Sequence, residues 1–575
     1  MSTLRRLVPG LLVLRGYRRA WLLPDLMAGL TVGAMLVPQA MAYAELAGLP
    51  PETGFFAAML PLLVYTIVGS SRHLGVGPEP GTAILAAAGV GLVAQGDPAR
   101  YAALMAALAL VVAVVALVAA ALRLGFLAEL LSKPVLVGYI TGVGLTLLSS
   151  QLGKALGVPM SADGFFGRIV EVAPALGALH LPTASVFAGT LATLLILKRF
   201  AKRVPAALVA VTLATVVTAL ADLDAHGVKV LGAIESPHGV LPPLGLPSVS
   251  LADVAALIPT ALGVALVGYT DNVLTARSVA AKHGYRIDAN QELFALGMTN
   301  LASGLSHAFP ISSSASRTAV PSSLGSHTQL VGLVALAFVA ATLGLLAPAL
   351  AAMPAAALAA VIVAAALAII DLPGYRRLAR VSRAELALAI VAALGVMIFD
   401  VLVGVLVAIV ASVVLALARI ARPHDAVLAA SEGLDGWVDA DQHGLAPTHP
   451  GLIVYRFDAP LFFANINHFR ERLAHMLTKN PGEETWVVLD FEGIGEVDAT
   501  ALDGLGELVD ELVARHMTLA VARANPVVVA RLSRGGLLAP AGPVQSHATI
   551  KSAVRAFREH QESMAGAQSR GAREP

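Results

Sequence analysis

The chain contains no cysteine. That excludes a disulfide framework, thiol catalysis and any thiolate metal site. Charge is scarce as well: only 13% of residues are Asp, Glu, Lys or Arg, against roughly a quarter in an ordinary soluble chain. The formal net charge of +1 leaves no electrostatic basis for bulk nucleic-acid binding. A cleavable signal peptide is not expected, because no short apolar run followed by a small-residue cleavage site opens the chain. Arg5, Arg6, Arg15, Arg18 and Arg19 precede the first long apolar run instead. The polar part of the chain has no Walker A sequence, no nucleophile–base constellation and no metal motif, so neither an enzyme nor an ATP-driven pump is indicated.

What is present is apolar. Hydrophobic residues make up 57% of the chain and the mean hydropathy is +0.77, values of a polytopic membrane protein. A span needs about 20 apolar residues. Apolar segments fall at about 24–46, 53–70, 79–95, 101–122, 127–150, 184–200, 205–222, 253–280, 290–306, 314–323, 328–350, 354–371, 383–399 and 400–420. Alternating the sides of about fourteen spans puts Arg72–His73, Arg123–Lys133, Lys198–Arg203, Arg277–Arg286 and Arg376–Arg383 beside the N-terminus. These basic loops predict cytoplasmic termini. The Ala-rich composition and lack of targeting segments suggest a bacterial plasma or inner membrane.

Two segments are unusual. The third opens with VGPEPGTAILAA (Val76–Ala87) and the tenth with PISSSASRTAV, within Phe309–Val320. Each begins with proline and small or polar residues, as a broken helix does. They are third in two successive sets of seven, which points to inverted repeats, about 24–222 and 253–420, with facing half-helix starts near the midplane. Free N–H groups at such starts attract a negative ion. Arg317 inside the membrane needs a cavity, a partner or an anion. A helix beginning near Ser314 would place Ser314, Ala315, Ser316 and Arg317 at the ion, with Ser312 and Ser313 just before. A re-entrant loop whose arginine pairs with a carboxylate is the plainer alternative.

After Ala421 the pattern changes. Residues 421–450 read as a polar linker. Leu452–Phe457, Thr485–Phe491 and Met517–Ala522 read as strands; Ala464–Lys479, Ala499–Arg515, Pro526–Arg534 and His547–Gln561 read as helices. Together they predict a small α/β domain over 451–562, with a disordered tail over 563–575. Residues 1–23 form the N-terminal segment and 24–420 the membrane domain.

Three ordered stretches carry a family resemblance. VPQAMAYAELAGLPPETGFFAAMLPLLVYTIVGSSRHLGVGP (Val37–Pro78) and AAKHGYRIDANQELFALGMTNLASGL (Ala280–Leu305), the latter followed by FPISSSASRTAV, resemble the two signatures of the SulP / solute carrier 26 anion transporters. The soluble end resembles a STAS domain. The resemblance implies a fourteen-helix 7+7 inverted repeat, with a core (helices 1–4 and 8–11) and a gate (5–7 and 12–14). It also implies a homodimer, elevator-like movement of the core, and a small-anion substrate (sulfate, bicarbonate or a dicarboxylate) between helices 3 and 10. By that resemblance Gln39 and Tyr43, four apart on one helix face, line the anion pocket together with Thr82.

Glu79 departs from the family pattern, where a neutral residue is usual. It pairs with Arg317, carries a coupled proton, or caps a helix at an exposed edge. Asp271 and Thr275 lie one turn apart; the resemblance implies that in sodium-coupled bicarbonate transporters such a pair, completed by backbone carbonyls of helix 10, binds Na+, which here makes Asp271, Thr275 and Ser313 the candidate Na+ residues. Asp271 equally fits a proton site or a structural partner of Arg317. Glu45 is expected at the interface, and Asp288, Asn290 and Glu292 as caps of the ninth helix. In the STAS segment Asp490–Leu505, Ala499 stands where related domains carry a phosphorylated serine, with Thr500 next to it. An uncoupled exchanger or channel, a nucleobase carrier and a membrane-anchored signalling scaffold are the competing classes. The partners expected are the anion, membrane lipid and a second copy of the chain; no cofactor is expected beyond a coupling H+ or Na+.

Overall fold

The computed structural model describes residues 8–129, 132–162, 164–201, 204–232, 239–399, 401–430, 436–445, 448–479, 485–538 and 544–571. The chain forms two compact units, Met1–Ser412 and Val413–Pro575.

The apolar runs become helices α1 (Leu22–Leu46), α2 (Glu52–Val68), α3 (Pro80–Ala94), α4 (Pro98–Ala121), α5 (Lys133–Ser150), α6 (Leu181–Phe200), α7 (Ala206–Leu220), α8 (Leu251–His283), α9 (Ala289–Leu305), α10 (Ala315–Leu324), α11 (Leu330–Ala351), α12 (Ala355–Ile369), α13 (Arg383–Phe399) and α14 (Val401–Ala421). Among the described residues seven helices are long and apolar enough to cross a membrane unaided. The run lengths imply more. The half-helices α3 and α10 fall short because the residues before each are extended rather than helical.

The helix packing shows the internal repeat. α4 packs on α9, and α11 on α2. α4 also packs on α8, and α11 on α1; α3 packs on α8, and α10 on α1; α5 packs on α13, and α12 on α6. Each contact becomes its counterpart when every helix is exchanged for the one seven places away. Close approach is set by small residues, as is usual where lipid supplies no hydrophobic drive between helices. A Cβ on Gly138 of α5 would lie 2.1 Å from the Ala389 carbonyl oxygen of α13, so only glycine permits that crossing.

Between the halves runs a two-stranded antiparallel ribbon, β1 (Val76–Gly77) with β2 (Ser312–Ser313), pairing Val76 with Ser313 and Gly77 with Ser312. The Ser314 N–H donates to the Gly75 carbonyl at 2.9 Å. Because the strands are antiparallel, α3 and α10 leave the ribbon in opposite directions and their N-termini converge on it.

The second unit is an α/β domain with sheet order β4-β3-β5-β6-β7-β8. Its strands are β3 (Asp425–Ala430), β4 (Trp437–Asp439), β5 (Leu452–Phe457), β6 (Trp486–Asp490), β7 (Thr518–Ala522) and β8 (Val544–His547). β5 to β8 are parallel and β3 and β4 antiparallel. Helices α15 (Ile466–Lys479), α16 (Ala499–Ala514), α17 (Pro526–Arg534) and α18 (Ile550–Gly571) complete it. β6, with all five residues buried, reads as a continuous apolar strand because both faces are covered. Two expectations are corrected here. The stretch 421–450 is not a plain linker, since β3 and β4 lie in it and extend the sheet. Of the expected tail, 563–571 is helical, continuing α18 through Gly566 to Gly571; 572–575 lie outside the described residues. Asp498 caps α16, which leaves Thr500 exposed in its first turn.

Candidate functional site

The site is built on the two converging helix starts. Glu79 and Ser314 are the N-caps of α3 and α10, both extended, at φ −141° and φ −128°. The Glu79 carboxylate accepts from the Thr82 N–H at 3.0 Å. Thr82 Oγ1 donates to the Glu79 carbonyl at 3.2 Å. The start of α3 therefore carries its own anion. At α10 the Ser314 hydroxyl accepts from the Arg317 N–H at 3.5 Å and lies 3.0 Å from the Ser316 hydroxyl. Ala315 and Ser316 are exposed, and their N–H groups have no intrahelical acceptor by geometry.

Arg317 is the third residue of α10 and fully buried, at 0% exposure. A cation there opposes the positive end of the helix dipole. Its Nη1 donates to the Gln39 side-chain oxygen at 3.2 Å. Nε and Nη2 have no hydrogen-bond partner among the described residues. Tyr43, Glu79 and Asp271 are near enough to interact with it electrostatically. No ion pair joins Glu79 or Asp271 to Arg317 among the described residues, so the pairing considered for each is not formed. Glu79 is half-buried and caps its helix inside the protein rather than at an exposed edge.

Gln39 and Tyr43 are buried on α1. Thr318 ties the ribbon to α10: its hydroxyl accepts from the Gly75 N–H at 2.9 Å and donates to the Ser314 carbonyl at 2.7 Å. On α8, Gly268 lets the helix backbone approach the ribbon; a Cβ there would sit 3.3 Å from Ser312 Cβ and 3.7 Å from Thr82 Cγ2. One turn later Asp271 Oδ2 accepts from the Ser313 hydroxyl at 3.3 Å. Thr275 follows on the same face and is half-buried. The carboxylate and two hydroxyls proposed for a hard cation thus come from α8 and β2, all oxygen donors of the kind such ions take.

Several contributors are not evident from the sequence. Asn300 of α9 grips Ile311, donating to its carbonyl at 3.0 Å and accepting from its N–H at 2.9 Å. Ser303 donates to the Phe309 carbonyl at 2.6 Å. These two side chains fix the extended lead-in to α10; a polar residue inside an apolar span is the signal that would have found them. Tyr139 of α5 brings its hydroxyl to the start of α3, where a Cβ on Gly81 would be 3.4 Å from it and 3.0 Å from Glu79 Oε2. Asn272, beside Asp271, is buried with neither carboxamide atom bonded among the described residues.

The expected caps of α9 separate. Asp288 is the N-cap, accepting from Asn290 and Gln291 N–H groups. Asn290 instead donates to the Ala120 carbonyl at 2.9 Å. Glu292 is fully buried and bonds the loop after α2, whose Ser70 hydroxyl also accepts from the Asp288 N–H at 3.3 Å. The Glu292 carboxylate accepts from Tyr65, from the Ser70 N–H and hydroxyl, and from the Ser71 N–H. Glu45 is ion-paired with Lys154 at 2.5 Å.

A family model described as the sulfate permease family matches residues 22–392, and a STAS domain model matches 445–551. A probable sulfate transporter of Mycobacterium tuberculosis (strain CDC 1551 / Oshkosh) is 46% identical over 96% of this chain and 98% of its own. The chloroplastic sulfate transporter 4.1 of Arabidopsis thaliana is 30% identical over 92% of this chain and 79% of its own. Among solved structures, the murine solute carrier 26 member A9 anion transporter in the inward-facing state superposes with a TM-score of 0.87 at 24% identity, covering 96% of this chain and 94% of that one. The transmembrane domain of the cyanobacterium bicarbonate transporter BicA gives 0.60 at 22% identity, covering 69% of this chain and 98% of that one. These two likenesses establish the fold.

Proposed function

The chain belongs to the sulfate permease family, with a STAS domain in its C-terminal part, and on that premise we propose that it is a secondary active transporter of a small oxyanion, sulfate first, driven by a co-transported cation. The observation that carries the reading is Arg317: a buried guanidinium at a helix start, with two nitrogens unpartnered. A buried charge of this kind is retained only where an opposite charge visits it. The exposed start of α10 beside it offers N–H groups to the same ion. The names of the relatives favour sulfate; bicarbonate and a dicarboxylate suit the same donors.

Coupling follows from charge. Glu79 and Asp271 outnumber Arg317, so with all three ionised the site repels an anion. A proton on one carboxylate, or Na+ among Asp271, Thr275 and Ser313, removes that repulsion. Anion and cation then bind together. The site rests on α1, α3, α8 and α10, while Tyr139 belongs to α5 of the other helix group. Movement of the first group past the second, elevator fashion, carries the ion from side to side. A homodimer in a bacterial plasma membrane, with cytoplasmic termini, completes the reading.

The test is uptake of labelled sulfate, bicarbonate and fumarate into proteoliposomes under a sodium or a pH gradient. Uptake that needs sodium and disappears in Asp271→Ala supports the Na+ site. Uptake driven by inward protons and lost in Glu79→Gln assigns coupling to Glu79. Uptake that responds only to anion on the opposite side identifies an exchanger and removes both coupling assignments.

A further inference from the structure

One strongly basic element lies outside the transport site. The helix Leu372–Val381, LPGYRRLARV, joins α12 to α13. With 10 residues it reaches only about 15 Å, half the hydrocarbon thickness. It begins where α12 ends and finishes where α13 begins, and its three exposed arginines keep it out of the hydrocarbon, which argues for a position at the membrane surface. Asp371 caps it by accepting from the Gly374 N–H at 2.9 Å. Leu378 is buried against Val137 and Ala389, with Tyr375 packed beside them. That contact fixes which face turns outward. Residues 373, 376, 377, 380 and 381 share the other face, by their spacing of three, four, seven and eight.

That face is open and basic. Pro373, Arg376, Arg377, Arg380 and Val381 border a shallow depression on it. All three arginines are exposed, and none forms an ion pair among the described residues. Like charges at this spacing repel. Leu372 and Val381, 60% and 71% exposed, are large apolar side chains at the two ends of the same helix.

We propose that this helix binds the phosphate of anionic phospholipid headgroups. Arg376, Arg377 and Arg380 hold the phosphate, and Leu372 and Val381 sit among the first acyl carbons. Guanidinium matches phosphate geometry better than ammonium does. A basic, surface-lying helix between two spans meets that ligand at high local concentration in an anionic leaflet. The headgroup would also remove the repulsion among the three charges.

The test uses the full chain, purified in detergent, with dioleoylphosphatidylglycerol and dioleoylphosphatidylcholine as probes and lipid retention read by native mass spectrometry. The wild type is expected to retain phosphatidylglycerol at least about tenfold better than phosphatidylcholine, since each basic residue at such a surface contributes about fivefold. R376Q/R377Q/R380Q is expected to lose that preference while keeping the lipid-free melting temperature. The triple lysine variant, which preserves charge, is expected to keep part of it. If the glutamine triple fails to fold, R377Q alone is read the same way, with a partial loss. Millimolar inorganic phosphate is expected not to displace the lipid. Equal retention of the two lipids, a preference that survives the glutamine substitutions, or displacement by inorganic phosphate overturns the proposal.

Discussion

Arg317 donates to the side-chain oxygen of Gln39 at 3.2 Å, a contact between residues 278 apart in sequence. The partner is neutral. A carboxylate in the same place would cancel the guanidinium charge, whereas a carboxamide orients it and leaves the charge in force.

Gln39→Glu should therefore silence the site without harming the fold. The new carboxylate pairs with Arg317, so anion uptake falls at least about tenfold, the factor that about 1.4 kcal/mol gives, while the melting temperature holds or rises. Gln39→Ala should be milder in uptake, because the charge survives and only its orientation is lost. Initial rates in proteoliposomes, together with thermal unfolding, separate the two.

Asn300 holds both backbone groups of Ile311. Asn300→Ala strands a buried N–H and a buried carbonyl, at about 1–3 kcal/mol each. A lowered melting temperature and a raised KM are expected together, since the lead-in to α10 loosens. Asn300→Asp keeps the acceptor for the N–H but sets a carboxylate oxygen against the Ile311 and Leu296 carbonyls, so it should be at least as destabilising as Asn300→Ala.

Glu292 is a buried carboxylate with donors from Tyr65, Ser70 and Ser71. Tyr65→Phe removes one donor of four and should cost about 1 kcal/mol. Glu292→Ala abandons all of them and should cost about 3 kcal/mol or more. A melting temperature of Glu292→Ala equal to that of the wild type would show that the network is not structural.

His73 lies in the loop after α2, stacked on His283 at 4.4 Å between ring centroids. Its ring also contacts the Tyr285 hydroxyl at 3.1 Å and the Ser326 carbonyl at 2.9 Å. Burial pushes its pKa down to about 4, with His283, Arg72 and His327 adding to the effect and the Ser326 carbonyl opposing it. The unfolded chain takes up this proton near pH 6.5 and the folded chain only near pH 4. Stability should then decline as pH falls through that interval. Thermal unfolding from pH 7 to pH 4 should show a shallower decline in His73→Asn than in the wild type.

Much of this architecture is readable from the chain. Run length locates α1 to α14 closely, because the bilayer fixes how long an apolar run must be, except that α5 starts at Lys133 rather than at 127. Pro80 and the Ser312–Ser316 cluster mark the broken helices, and Ser314 is the cap its residue type suggests. What escapes has no local period. The β1–β2 ribbon is two residues per strand, too short for alternation to register. β3 and β4 hide in a polar stretch because the Gly- and Asp-rich residues around them dominate its composition. Residue type shows that Glu292 and Asn300 are polar, but only packing shows which helix each one faces. The pairing of Glu79 with Arg317 fails for a local reason: the carboxylate caps its own helix at Thr82.

Arg317 is kept in the membrane for the anion and not for the fold. Arg317→Met replaces it with an apolar side chain that can fill much of the same space. Labelled sulfate uptake into proteoliposomes and the melting temperature should be measured on the same preparation. Uptake is expected at background, a loss of roughly a hundredfold or more for a buried charge partner worth about 3 kcal/mol, with a melting temperature equal to or above that of the wild type. Near-normal uptake in a folded Arg317→Met protein would contradict it.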